Sequence, residues 1–138
     1  MTDLQTINQS TTLTTPTDIG QLANTVAARH VFSDYTERKS SNTLRAQRSD
    51  LATFAEYLSL VNLQTDAVSL QSNPDDWQGI TWGIVEAFVK WMLQSGYAIG
   101  SVNRKLSTIK VYAQLASKAT ALDTTELALI KTVAGYSR

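Results

Sequence analysis

Apolar residues recur at helical spacing in five stretches of the 138-residue chain, and no stretch alternates apolar with polar as a half-buried strand would. The first stretch starts at Asp18, which can cap a helix with Gln21 three residues on, and carries Ile19, Leu22, Val26 and then Val31 or Phe32. In the second, "ERKSSNTL" offers Ser and Asn caps ahead of Leu44, Leu51, Phe54, Ala55 and Leu58, which line one face out to Leu60. The third is capped by Thr81, carries Ile84, Val85, Phe88, Trp91 and Met92, and stops at Gly96. Ser101 caps the fourth, whose Val102, Leu106, Ile109, Ala113 and Ala116 form one stripe. In the fifth, Asp123 and Glu126 stand in capping-box positions before Leu127, Ile130 and Val133 or Ala134. The pattern predicts an all-α bundle of four to five helices. Between Val61 and Ile80 the periodicity fails, and Asn73, Pro74, Asp75, Asp76 and Gly79 supply turn chemistry, so a long surface loop is expected there.

Composition narrows this picture. Residues 1–17 hold seven Thr and few large apolar groups and are expected to be a mobile tail, with the helical domain over 18–134 and a linker starting at 135–138. The absence of cysteine excludes a disulfide framework and a thiolate metal site, and the lone His30 cannot form a histidine cluster. No window approaches the ~20 apolar residues of a membrane helix and the N-terminus lacks a signal-peptide pattern, so a soluble, cytoplasmic setting with no membrane partner is expected.

Charge changes the picture further. Twelve Lys and Arg balance twelve Asp and Glu, but the signs are sorted along the chain. Arg29 to Arg48 holds five cations against two acids, Ser49 to Glu86 holds six acids and no cation, and Ala87 to Leu122 holds five cations and no acid. Such asymmetry points to a surface that faces a polyanion. The stretch "GSVNRKLSTIKVYAQLASKAT" contains Arg104, Lys105, Lys110 and Lys118, and its wheel sets Asn103, Arg104, Ser107 and Lys110 beside or opposite the apolar stripe. The second helix turns Asn42, Arg45 and Ser49 outward at its start, with Arg48 at the edge of the buried face, and the cap region before it adds Arg38, Lys39, Ser40 and Ser41. Arg and Lys meet phosphates and guanine edges, Asn and Gln meet adenine, and Ser and Thr meet either, while a helix N-terminus is itself a phosphate site. One such face is ordinarily just solvated. Two on one chain bring nucleic-acid binding level with that reading.

Enzyme chemistry is poorly supplied. His30 is the only imidazole for any nucleophile, Asp75 and Asp76 are adjacent in a turn and diverge, and no glycine-rich phosphate loop occurs. No catalytic residue, cofactor site or metal site is expected.

Two stretches resemble the core-binding domain of the tyrosine site-specific recombinases, the phage integrase family. "SSNTLRAQRSDLATFAEYL", residues 40–58, is similar to the pattern S-x-x-T-x-R-A-Y-x-x-D-x-x-x-F, with Ser40, Thr43, Arg45, Ala46, Asp50 and Phe54 in register. Gly96 and the run Ser101 to Ser107 are similar to G-x-s-x-x-T-i-n-r-r-L-s. Gln47 replaces the usual Tyr, Ser101 replaces Thr, and the loop from Val61 to Ile80 is longer than usual. The resemblance implies a SAM-like helical domain that clamps one face of a recombination half-site with two helices. A separate C-terminal domain would carry the catalytic Arg, His and Tyr, so the chain reads as one piece of a recombinase, itself not an enzyme, and Tyr136 as a linker residue. It implies double-stranded DNA and other recombinase protomers as partners, with the isolated domain monomeric or weakly associating. The expected DNA contacts are Ser41, Asn42, Thr43, Arg45, Arg48, Ser101, Asn103, Arg104, Ser107 and Lys110. The rival is a helical protein-interaction module that does not bind DNA.

Overall fold

A computed structural model describes residues 15–137. Residues 1–14, most of the expected tail, lie outside the described residues. Thr15 caps the first helix, α1 (Pro16–Ala28), by accepting the Asp18 N–H at 3.1 Å, and Pro16 at the first position sacrifices no hydrogen bond because its missing N–H would be unpaired anyway. Asp18 is therefore a first-turn residue and not the cap. The predicted first helix also divides in two. The Arg29 and His30 N–H groups bond back three residues, to Val26 and Ala27, which tightens the chain and ends α1, and α2 (Val31–Arg38) then buries Phe32.

α3 (Ser41–Leu60) starts where Ser40 accepts the Thr43 N–H at 3.1 Å and buries Leu51, Phe54, Ala55 and Leu58 as the spacing predicts. The expected loop from Val61 to Ile80 is instead part of the core. Asp66 caps α4 (Ala67–Ser72), Asn73 caps a 3-10 turn (Pro74–Trp77), and Leu70, Trp77 and Ile80 are buried. The Trp77 indole N–H donates to the Leu70 carbonyl at 2.9 Å, so the one polar group on a fully buried ring is satisfied. Its ring lies 5.9 Å from Phe54 and 6.4 Å from Tyr112, centroid to centroid.

Thr81 caps α5 (Trp82–Gln94), and Gly96, at φ 91°, takes the left-handed conformation that turns the chain after it. α6 (Ile99–Lys118) begins two residues before the expected cap. Ala98 stands at its N-cap without a side-chain hydrogen bond, and Ser101 lies inside the first turn. In α7 (Thr124–Lys131) Asp123 caps alone, at 2.7 Å to the Thr125 N–H, and no capping box forms. Glu126 accepts the Trp82 N–H at 3.1 Å and so satisfies the first turn of α5.

Seven α-helices and no strand are thus present among the described residues. α6 is central and packs against α2, α3, α5, α7 and the 3-10 turn. Its predicted stripe of Val102, Leu106, Ile109, Ala113 and Ala116 is buried, but Lys105, Thr108 and Tyr112 are buried with it, so the covered arc is wider than the apolar spacing alone shows.

Candidate nucleic-acid interface

The two long helices lie side by side in opposite directions. Gln47 meets Tyr112, Asp50 meets Thr108 and Arg104, and Thr53 meets Lys105, so residue numbers rise along α3 as they fall along α6. Asp50, only 2% exposed, is the node of this packing. Its Oδ1 accepts from Arg104 Nε at 3.2 Å and stands 3.2 Å from Arg104 Nη2 and 3.6 Å from Lys105 Nζ, while its Oδ2 accepts the Thr108 hydroxyl at 2.7 Å. Lys105 Nζ also donates to Thr53 Oγ1 at 2.9 Å and stands 5.7 Å from the Tyr97 ring centroid. A buried carboxylate with this many donors is fully compensated, and among the described residues no buried side-chain polar atom lacks a partner. One carboxylate against two cations leaves the node with a positive charge. Arg104, with 60% of its side chain exposed, carries that charge to the surface.

A second polar network holds the other half of the pair. Tyr112 donates to Gln47 Oε1 at 2.9 Å, and Gln47 Nε2 donates to the Tyr35 hydroxyl at 2.8 Å. Gln71 Nε2 donates to the Leu44 carbonyl at 2.9 Å and to the Tyr112 hydroxyl at 3.2 Å. Burial raises the Tyr112 phenol above its ordinary value of 10.0, against the opposing pull of the Gln71 hydrogen bond. Gln47, the departure from the family pattern, is thus a bridge between two tyrosine hydroxyls.

The expected contact residues separate into three groups. On α3, Asn42, Ala46, Ser49 and Thr53 follow one strip at helical spacing, and Thr53 touches α6, so this strip borders α6. Asn42, Arg45 and Ser49 are exposed on this side, with Arg45 Nη1 3.4 Å from Asn42 Oδ1, and Ser41 and Thr43 are exposed in the first turn. The matching strip of α6 carries Arg104, Ser107, Val111, Gln114 and Lys118, all exposed. These residues form one solvent face across the pair. Lys118, missing from the expected contacts, lies at the same end of the pair as the start of α3.

Four expected contacts lie elsewhere. Arg48 Nε donates to Gln71 Oε1 at 2.9 Å, the side chain whose amide also bonds Tyr112 of α6. Asn103 and Lys110 lie on the opposite flank of α6 from α3, roughly 100–120° around the helix from Arg104 at about 100° per residue. Asn103 bonds the backbone of Tyr136, and Lys110 Nζ donates to the Val133 carbonyl at 2.6 Å. Ser101, half-buried in the first turn of α6, forms the third group. Of the four cations in the basic stretch, Lys105 and Lys110 hold the fold, Arg104 does so with part of its guanidinium, and Lys118 is exposed. The residue missed from sequence was Asp50, an acid at a core position of α3 whose partner Arg104 stands 54 positions further along the chain.

No group of three or more His, Asp or Glu capable of holding a metal ion occurs among the described residues, and no helix there is long and apolar enough to cross a membrane. His30 is exposed. Residues 32–120 match the family model described as phage integrase, N-terminal SAM-like domain, which spans α2 to the end of α6 and includes both polar networks. Comparison with the curated proteins and with the solved structures gives no match.

Proposed function

Because the chain belongs to the phage integrase N-terminal SAM-like domain family, within the tyrosine recombinases, we propose that it binds duplex DNA as the core-binding domain of a site-specific recombinase. In this role it lays the shared face of α3 and α6 against one side of a recombination half-site. The observation that supports this reading most is the Asp50 node. It locks the two helices antiparallel and delivers an excess positive charge to their common surface through Arg104.

Arg45, Arg104 and Lys118 meet phosphates, as does the start of α3 beside Ser41 and Thr43. Asn42 and Ser107 stand where a base edge would pass. Strand cleavage is not assigned to any of these residues. Other protomers bound to the same DNA are the protein partners, and the cytoplasm is the compartment where such a reaction takes place.

With so few cations the domain neutralises about three to five phosphates, so binding is weak and its logarithm falls with the logarithm of salt at about 0.9 per contact. A mobility-shift titration of duplex DNA at two salt concentrations tests this. Arg45→Ala is expected to weaken binding and lower the slope by about one, while the fold stays intact because Arg45 makes no long-range contact. If wild type gives no salt-sensitive shift, or if Arg45→Ala and Lys118→Ala both leave it unchanged, this face does not bind DNA.

A further inference from the structure

The flank of α6 that faces away from α3 is polar without facing open solvent. Asn103 Nδ2 donates to the Tyr136 carbonyl at 2.8 Å and the Tyr136 N–H donates to Asn103 Oδ1 at 2.9 Å. A single carboxamide thus satisfies both backbone groups of one residue, the pairing that a neighbouring strand would provide. Two turns further along, Lys110 Nζ holds the Val133 carbonyl at 2.6 Å. A Cβ on Gly135 would overlap the Asn103 carboxamide, so this approach is open to glycine alone.

The apolar contribution to this contact ends early. Val133 is buried, but Ala134, Gly135, Tyr136 and Ser137 are exposed. Between the strap and α6 lies an open recess of about 370 Å³, lined by Asn103, Ser107, Lys110, Gly135 and Tyr136. Beyond Val133 the hydrogen bonds and the absent Cβ hold the segment in place. Side-chain packing does not.

We propose that Asn103 and Lys110 form a latch for residues 133–136, a releasable docking site for extended backbone that fixes the direction in which the chain leaves the helical bundle. Both residues have the chemistry of DNA contacts and spend it on the chain's own main chain. The bonds are few and exposed at one side, so the latch opens without disturbing the core.

Amide hydrogen exchange of the intact chain by NMR tests this separately from DNA binding. The Tyr136 amide is expected to exchange about tenfold slower than an unprotected amide in wild type and to lose that protection in Asn103→Ala. Gly135→Val should have the same effect with Asn103 still in place, and Lys110→Ala a smaller one. Core amides such as Ile109 serve as the control that the bundle is folded. An unprotected Tyr136 amide in wild type, or equal protection in wild type and Asn103→Ala, overturns the latch. The DNA titration reads Arg45 and Lys118, which do not line this recess, so a failed mobility shift with Tyr136 protection lost in Asn103→Ala rejects DNA binding and keeps the latch.

Discussion

α3 and α6 are each twenty residues long, lie antiparallel and carry cations on their polar sides, yet they use charge differently. α3 sends Arg45 to the outer surface. α6 has twice as many cations and commits most of them to the fold: Lys105 to Asp50 and Thr53, Lys110 to the Val133 carbonyl, and Arg104 in part to Asp50. The cause is position. α6 is covered on several sides and has a narrow exposed arc, so long side chains at the margins of that arc reach a buried acid or an unpaired carbonyl before they reach water. A cation count along a central helix therefore measures internal pairing as much as surface charge.

The sharpest way to break this contrast is Asp50→Ala, which strands Lys105 in the interior without its acid. It is expected to cost about 3–5 kcal/mol in urea denaturation, against less than about 0.5 kcal/mol for Arg45→Ala. A cost for Asp50→Ala as small as that of a surface change would show that the node does not join the helices.

Tyr112→Phe is the next largest. It removes the hydroxyl between Gln47 and Gln71 and should cost about 1 kcal/mol. The folded state raises the Tyr112 pKa, so its contribution is full below the ordinary value of 10.0 and declines as pH rises through the raised value. Wild-type stability should fall in that alkaline range, and Tyr112→Phe should fall less steeply. The smallest effect belongs to Lys118→Ala, which should leave stability within about 0.5 kcal/mol and lower the salt slope of DNA binding by about one.

Long amphipathic elements were legible in the sequence because three or more turns repeat the same spacing. α3, α5 and the buried stripe of α6 follow that spacing, whereas α7, eight residues long, buries only Ile130. Residues 61–80 were not, since a six-residue helix and a four-residue turn are too short to display a period, and the aspartates that look like loop chemistry include the cap of α4. Trp77 could have been suspected from the size of its ring, but not its hydrogen bond to Leu70. The division between α1 and α2 was hidden because Val31 and Phe32 continue an apolar rhythm across the break.

The candidate site was read from residue type, which carries no direction. Asn42, Arg45, Arg104 and Ser107 lie on one face, as the helix wheel implies. Arg48, Asn103 and Lys110 have partners 23 to 33 positions away, which spacing within a helix cannot reveal. The sorting of charge along the chain is also partly undone in space, because an aspartate of the acidic block neutralises cations of the basic one.

Synthesis from the N-terminus exposes a consequence of where Asp50 finds its counterions. The carboxylate is 54 residues ahead of Arg104, and no Lys or Arg occurs between Ser49 and Glu86. A growing chain therefore carries α3 out of the ribosome with its central acid hydrated and unmatched, and burial of that helix waits until the last third of the sequence has emerged. Until then α3 is a passenger, and a ribosome halted before residue 104 holds a chain that cannot close its own interior.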